Sequence, residues 1–202
     1  MDTVYLPAED SFLMLEAIDK FLKTANRKPK TALDMGTGSG LLAIALAKRG
    51  CSITAADINP EAIKVAKENA RKEGVKINFA LSDFFKNIKG KYDLIVFNPP
   101  YVATEDCELK TRGSGNPNLC AGSSDEPCAA DMQAKAWSGG PDGLQVINRF
   151  LSTASGFLNP GGRILLLVSS PGPDPPVFKD YRQKIIAKKS LFFEQLFVLE
   201  LS

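Results

Sequence analysis

A short apolar segment that leads through a glycine-rich turn into a helix-forming segment constrains the fold of this chain more than any other feature. The segment Thr31–Met35 predicts a buried strand, and Leu41–Lys48 consists of residues that favour helices. The turn between them, residues 36–40, has the sequence Gly-Thr-Gly-Ser-Gly. Glycines allow a sharp turn and a close approach to a ligand, and parallel sheets bind ligands at the carboxyl ends of their strands. The turn predicts a site of the nucleotide-binding kind; on its own it would also fit a dinucleotide site or a plain tight turn.

Predicted strands and helices alternate along most of the chain. Apolar residues on one face predict the first helix, and Pro60 suits the first turn of a later one, which Gly74 ends. Such alternation predicts parallel strands joined by right-handed crossovers. We therefore expect an α/β fold, a doubly wound, mostly parallel seven-stranded sheet with an antiparallel C-terminal hairpin. The predicted helices are 10–22, 41–48, 61–72, 144–157 and 178–183, a turn is predicted at 159–162, and the predicted strands are 31–35, 52–56, 76–81, 92–97, 163–169, 184–187 and 193–201.

Length and segment composition predict one domain, residues 1–202, with one long irregular loop at about 103–142. The loop is rich in Gly, Pro, Ser, Asp and Asn and has too little apolar content for a core of its own. Loops of this length are often functional, so we expect it to border the active site. The N-terminus lacks a secretory signal pattern, and no apolar run approaches the roughly 20 residues that span a bilayer. We therefore expect a soluble, cytoplasmic protein with no membrane contact.

Composition excludes several classes of function. The chain has no histidine, which excludes Ser-His-Asp and Cys-His triads and zinc sites built on histidine. Its 25 basic and 23 acidic residues give a net charge of +2, which argues against a protein that binds nucleic acid duplexes. Cys51 precedes a predicted strand and is expected to be buried. Cys107, Cys120 and Cys128 are unevenly spaced and lack a fourth ligand, so we predict no metal site.

Acidic residues that follow the second and third strands are candidate ligand-binding residues. The carboxylate of Asp57 could accept hydrogen bonds from both hydroxyls of a ribose. Its alternative role is a helix cap, because Asn59 and Pro60 mark a helix start. Asp83 could accept a hydrogen bond from the amino group of adenine, with Phe84 beside the adenine ring. The alternative role of Asp83 is a loop cap.

The most specific motif, residues 98–101 (Asn-Pro-Pro-Tyr), directly follows the fourth predicted strand. Its prolines fix the backbone and remove two donors, which leaves carbonyls free to accept. The side-chain oxygen of Asn98 and the carbonyl of Pro99 could together hold a planar NH2 group, and Tyr101 could stack on a flat substrate. Such a site would work by positioning and electrostatics, without a strong base. The alternative is a simple proline turn after a strand.

Asp34 and the glycine turn resemble motif I of class I methyltransferases, whose loop wraps the methionine part of S-adenosylmethionine. Together the motifs resemble the HemK/PrmC-like glutamine methyltransferases, and more narrowly their short archaeal and eukaryotic branch. Residues 5–11 are similar to the opening motif of that branch, whose last hydroxyl residue, here Ser11, contacts the cofactor. Residues 136–140, followed by Gly143, resemble a signature that comes after the Asn-Pro-Pro-Tyr motif. Leu6 departs from an expected glutamate, and residues 106–134 resemble an insertion, which affects the predicted substrate entrance.

The resemblance implies an S-adenosylmethionine-dependent N-methyltransferase. Its implied substrate is the glutamine of the Gly-Gly-Gln loop of class 1 peptide chain release factors. It also implies a small zinc-binding activator subunit that covers an apolar patch beside the cofactor site and forms a heterodimer. The implied catalytic residues are Asn98, Pro99 and Tyr101, and the implied cofactor-binding residues are Ser11, Asp34, Gly36, Gly38, Gly40, Asp57, Asp83, Phe84 and Asn98.

Two other functions fit part of the sequence. An amino-group methyltransferase acting on adenine or guanine in DNA or RNA could use the same motif, because a nucleobase amine is also planar. The near-neutral charge and the absence of an appended recognition domain argue against a nucleic acid substrate. A non-catalytic subunit of a methyltransferase pair would be expected to lose the catalytic tetrapeptide or the acid at the ribose, and both are present.

Overall fold

The computed structural model describes residues 8–25, 27–99, 144–192 and 194–202. Within these ranges the helices and strands follow the predicted order, except for one helix predicted at 178–183. None of the helices in the described part of the chain is long and apolar enough to cross a membrane. The helices are α1 (Glu9–Thr24), α2 (Leu41–Lys48), α3 (Pro60–Lys72) and α4 (Gln145–Ala154), with a 3-10 turn at Ser155–Phe157, and the strands are β1 (Thr31–Met35), β2 (Ser52–Asp57), β3 (Asn78–Leu81), β4 (Tyr92–Phe97), β5 (Leu158–Ser170), β6 (Gln183–Ser190) and β7 (Gln195–Leu201).

The seven strands form one sheet in the order β3-β2-β1-β4-β5-β7-β6. Strands β1 to β5 pair in parallel, and β7 pairs antiparallel with both β5 and β6. The predicted fold class is therefore confirmed. The chain moves outward from β1 to β3 and then returns to β4 on the other side of β1, and such a switch point opens a crevice for ligands. Met35 of β1 pairs with Ala56 of β2 and Phe97 of β4, so the segments that follow these strands start side by side.

Alternating side chains of the central strands bury both faces of the sheet. Ala32, Leu94 and Val96 pack on one face with the apolar sides of α1 and α2. Leu33 and Ile95 point to the other face, where α4 packs. Strands buried on both faces consist almost entirely of apolar residues, which is why β1 and β4 lack the alternation of half-exposed strands. The carboxyl ends of these strands are therefore held rigidly from both sides.

Two local predictions near the end of the chain were wrong. The predicted helix at 178–183 is absent from the described structure, where β6 begins at Gln183. Arg182 and Ser202 exchange two backbone hydrogen bonds of 3.0 and 3.1 Å, which extends the hairpin, and the side chain of Gln183 accepts from the backbone of Phe178 at 3.0 Å. The predicted turn at 159–162 is instead a bulge within β5, because β4 pairs Tyr92 with Leu158 but Leu94 with Arg163. In both places strand pairing prevails over the local preference of the sequence.

Candidate active site

The glycine turn after β1 adopts a conformation that other residues rarely reach. Gly36, Gly38 and Gly40 have φ values of 64°, 53° and 84°. A Cβ atom added to Gly40 would lie 3.0 Å from Cβ of Ala66 and 3.2 Å from its Cα, so α3 packs directly against the turn. Both the left-handed conformation and this close approach require glycine. The turn is therefore fixed on one side by α3 and presents its backbone on the other.

Asp34 lies beneath this turn and is 1% exposed. Its Oδ2 accepts hydrogen bonds from Oγ1 of Thr37 at 2.6 Å and from the backbone N–H of Ala43 at 3.1 Å. Its Oδ1 is buried and has no hydrogen-bond partner in the described ranges of the chain. Burial raises the pKa of Asp34 to about 7, against the lowering effect of the two hydrogen bonds. Asp34 is therefore a carboxyl group whose charge responds to a cation placed near the turn.

Asp57 connects the glycine turn to the start of α3. Its Oδ2 accepts from the backbone N–H of Gly38 at 2.9 Å, and its Oδ1 accepts from the backbone N–H of Asn59 at 2.9 Å. The N-cap of α3 is Asn59, whose side chain accepts from the N–H of Glu61, so Asp57 is not the cap residue. Burial raises the pKa of Asp57, and the backbone hydrogen bonds lower it. Asp57 is placed where a carboxylate could meet a ligand that lies on the turn.

The backbone of the segment after β3 is strained and is held by several hydrogen bonds. Phe84 is the non-glycine residue with positive φ, 48°, in the described part of the chain. The hydroxyl of Ser82 donates to the carbonyl of Phe84 at 2.6 Å and accepts from the backbone N–H of Asn87 at 2.9 Å. The backbone N–H of Ser82 donates to the carbonyl of Asp57 at 2.8 Å. Strain of this kind persists only where the surroundings hold it, and it is common at ligand sites.

Asn98 follows β4 and is held by a residue that the sequence did not suggest. Its Nδ2 donates to Oδ2 of Asp10 at 3.0 Å, although the two residues are 88 positions apart. The Oδ1 of Asn98 is buried and has no hydrogen-bond partner among residues 8–25, 27–99, 144–192 and 194–202. Asp10 is 3% exposed in the first turn of α1, and its Oδ1 accepts from the backbone N–H of Ser11 at 2.6 Å. An ionised carboxylate only accepts hydrogen bonds, so Asp10 must face the NH2 group of the Asn98 amide. This orientation leaves Oδ1 of Asn98 to accept from another group.

The predicted site residues gather in two places along the carboxyl edge of the sheet. Ser11 and Asn98 both donate to the carboxylate of Asp10, whereas Asp57 accepts from the glycine turn. Cys51 is buried as predicted, and burial raises the pKa of its thiol. In the described ranges, no group of three or more candidate ligand side chains is arranged to hold a metal. Outside these ranges lie Tyr101, Cys107, Cys120, Cys128, the loop at 103–142 and the motifs at 5–7 and 136–143.

These features match the chemical groups of S-adenosylmethionine. The glycine turn lacks the side chains that would fill the crevice, and the buried acid beneath it suits a cationic ligand. Asp57 would accept from ribose hydroxyls, and Asp83 with Phe84 would meet the adenine. Within the described part of the chain the side-chain oxygen of Asn98 has no donor, as expected of an acceptor for a substrate N–H group. The residues present therefore fit this cofactor.

Comparison with known proteins identifies relatives of this chain. A family model described as the methyltransferase small domain matches residues 11–112. A putative protein N5-glutamine methyltransferase of Methanocaldococcus jannaschii is 37% identical over 97% of this chain and 90% of its own length. Methyltransferase HEMK2 of Mus musculus is 32% identical over 90% of this chain and 78% of its own length. A release factor glutamine methyltransferase of Moorella thermoacetica is 36% identical over 83% of this chain and 55% of its own length.

The fold also has solved counterparts. A ribosomal protein L11 methylase of Lactobacillus delbrueckii subsp. bulgaricus superposes with a TM-score of 0.56, at 18% identity, over 97% of this chain and 80% of its own. At that identity the likeness establishes the fold alone. The family model and the relatives extend the agreement from the fold to the sequence. This chain belongs to the HemK/PrmC-like class I glutamine methyltransferases, in their short archaeal and eukaryotic branch, which use S-adenosylmethionine.

Proposed function

We propose that this chain methylates the side-chain nitrogen of the glutamine in the Gly-Gly-Gln loop of a class 1 peptide chain release factor. The observation that carries the proposal is the amide of Asn98: Asp10 accepts from its nitrogen, and its buried oxygen has no donor among the residues that the structure describes. A glutamine side chain offers such a donor in its planar NH2 group. The names of the relatives, protein N5-glutamine methyltransferase and release factor glutamine methyltransferase, support the same substrate.

The chain's own residues would promote this reaction by orientation and electrostatics. When bound, S-adenosylmethionine supplies an electrophilic methyl group. Oδ1 of Asn98 and the carbonyl of Pro99 would accept the two N–H groups of the substrate amide and raise the electron density on its nitrogen. Tyr101 would stack on the flat amide. Asp10 sets the orientation of Asn98 in advance, and such preorganised dipoles require no rearrangement during the reaction.

The cofactor would lie along the carboxyl edge of β1, β2 and β3. We assign its methionine part to the glycine turn with Asp34 and Ser11, and its ribose to Asp57. We assign its adenine to Asp83 and Phe84. Support comes from the hydrogen bonds that join these groups: the backbone N–H of Gly38 donates to the Asp57 carboxylate, and the backbone N–H of Ser82 donates to the Asp57 carbonyl.

A partner subunit also belongs to the proposal. Leu81, the last residue of the edge strand β3, is 51% exposed and pairs in register with Asp57. An exposed apolar side chain on an open strand edge, beside the proposed ribose site, suits a covering protein. We assign this edge to the small zinc-binding activator subunit expected for the family branch. Because translation factors act in the cytoplasm, the proposed substrate supports a cytoplasmic enzyme.

The substrate can be tested directly with transfer of a labelled methyl group. A release factor should be labelled, its variant with alanine at the Gly-Gly-Gln glutamine should not, and DNA and RNA should receive little label. A nucleic acid enzyme must neutralise phosphates, whereas the acids of the 103–142 loop outnumber its bases. The assay should be run with and without the activator. Efficient methylation of bare nucleic acid, with none of the protein, would support the nucleobase alternative and contradict this proposal.

Asp34 predicts how cofactor binding depends on pH. Because the pKa of this buried carboxyl is about 7 in the free protein, it is largely protonated below that pH. The positive charge of S-adenosylmethionine favours the carboxylate, so binding lowers the pKa and releases a proton. Affinity should therefore rise with pH up to about pH 7 and level off above it, and the whole rise should be about tenfold for each unit by which binding lowers the pKa.

Calorimetry at several pH values checks this prediction. S-adenosylhomocysteine, which lacks the sulfonium charge, should show a weaker dependence. Asp34→Asn can keep the hydrogen bonds from Thr37 and Ala43 but cannot titrate, so the variant should lose the part of the dependence that Asp34 contributes. An identical pH dependence in the native protein and the variant would contradict the prediction.

A further inference from the structure

Arg149 of α4 contacts both residues of the proposed adenine site. Its Nη2 donates to Oδ2 of Asp83 at 2.7 Å, across 66 positions of sequence. Its guanidinium carbon lies 4.9 Å from the centroid of the Phe84 ring, which is a cation–π contact. One side chain therefore joins the carboxylate and the ring that would meet the adenine.

The exposure of Arg149 argues against a role in the core. Its side chain is 63% exposed, and the Asp83 side chain is 35% exposed. Ion pairs this accessible contribute little to folding stability, typically about 0–1 kcal/mol. The apolar residues of α4, such as Ile147 and Phe150, already anchor the helix in the core. The geometry of Arg149 therefore calls for an explanation other than stability.

The orientation of Asp83 supplies that explanation. The backbone around it is fixed, because Ser82 binds Phe84 and Asn87 and the Phe84 ring stacks edge-on against Phe97 at 6.0 Å. The carboxylate itself is bound through Oδ2 to Arg149, and without this contact its half-exposed side chain could rotate toward solvent. With Oδ2 engaged, Oδ1 remains to accept a hydrogen bond.

We propose that Arg149 is a positioning residue of the adenine subsite, which holds the Asp83 carboxylate and the Phe84 ring so that the site selects a 6-amino purine. The proposal deepens the proposed function and rests on its assignment of adenine to Asp83. A carboxylate fixed in this way accepts from the 6-amino group of adenine and repels the 6-oxo group of hypoxanthine. A site with a fixed acceptor binds a ligand that lacks the matching donor much more weakly, because the acceptor is then left without a hydrogen bond. A mobile acceptor can turn to solvent instead, so it discriminates less between the two ligands.

Binding of two ligands that differ at this atom tests the proposal. Calorimetry should compare S-adenosylhomocysteine with S-inosylhomocysteine, its hypoxanthine counterpart. The native protein should prefer the adenine ligand by at least about 100-fold, and Arg149→Met should reduce that ratio by about tenfold. Arg149→Lys should recover part of the ratio, because it keeps a cation but not the planar donors. In an Asp83→Asn background, Arg149→Met should have no further effect on the ratio.

A matched control removes another arginine–aspartate pair. Arg49 at the end of α2 donates to Asp19 at 2.8 Å, and α2 ends at the opposite edge of the sheet. Arg49→Met should leave the ratio unchanged. If Arg149→Met weakens both ligands equally, or neither, Arg149 has no positioning role; if the native protein does not discriminate, the assignment of Asp83 fails as well. None of these outcomes depends on the release factor, so they are separate from the test of the protein substrate.

Discussion

The variant Asn98→Ala is expected to reduce methyl transfer by about 100- to 1000-fold, the usual effect of removing one preorganised polar group from a reacting centre. The substitution removes the acceptor oxygen that would hold the substrate amide. It should leave cofactor affinity nearly unchanged, because the glycine turn and Asp57 carry most of that binding in our assignment. Single-turnover kinetics with the release factor, together with calorimetry on S-adenosylmethionine, would separate the two properties.

Asp10 provides the matched variant for this test. Asp10→Ala keeps Asn98 but removes the carboxylate that orients its amide, so the amide becomes free to rotate. Methyl transfer should fall less than in Asn98→Ala, and the double variant should resemble Asn98→Ala alone, since both residues act through one oxygen. If Asn98→Ala instead loses cofactor binding and transfer together, the turn after β4 has a structural role, contrary to our assignment.

The variant Asp57→Ala is expected to weaken S-adenosylmethionine binding by about 1.5–3 kcal/mol, which corresponds to roughly 10- to 150-fold. The physical reason is the loss of a charged acceptor for ribose hydroxyls. The structure adds a second contribution, because Asp57 also accepts from Gly38 and so holds the turn. Asp57→Asn keeps an oxygen for one backbone N–H and should lose less affinity.

Calorimetry with a 2′-deoxyribose analogue of S-adenosylhomocysteine separates the two contributions. The native protein should bind the analogue more weakly than the normal ligand, whereas Asp57→Ala should bind the two almost equally. A variant that loses affinity but keeps the full preference for the 2′-hydroxyl would show that Asp57 acts on the turn alone. Unchanged affinity would remove Asp57 from the site.

The elements that could be predicted from the sequence are those whose conformation depends on neighbouring residues in the chain. The strand, glycine turn and helix at residues 31–48 are contiguous, so their composition alone defines them. The prediction of a helix at 178–183 was wrong because the backbone of Arg182 pairs with that of Ser202, which is distant in sequence. Local preference has no information about such a partner. Strand pairing with β7 decided the conformation there.

The same distinction separates the predicted site residues from those that were missed. Asp57 is the last residue of β2 and Asn98 directly follows β4, and the end of a buried strand can be recognised in a sequence. Asp10 and Arg149 act on residues 88 and 66 positions away. Both are ordinary charged residues on helices, where an exposed surface position is the default expectation. Only the packing of α1 and α4 on the sheet brings them to their partners.

The docking of α1 has a consequence for the order in which the enzyme acquires activity. Asp10 can orient Asn98 only when α1 is in place, and α1 packs on β5, β6 and β7, with an ion pair from Glu9 to Lys189. Helix α1 is therefore synthesised before the strands that it packs on. The glycine turn, Asp57 and Asn98 also precede β5, β6 and β7 in the chain, so these site residues are made before α1 has its full packing surface. The orientation of Asn98 by Asp10 is therefore acquired only after β5, β6 and β7 have formed.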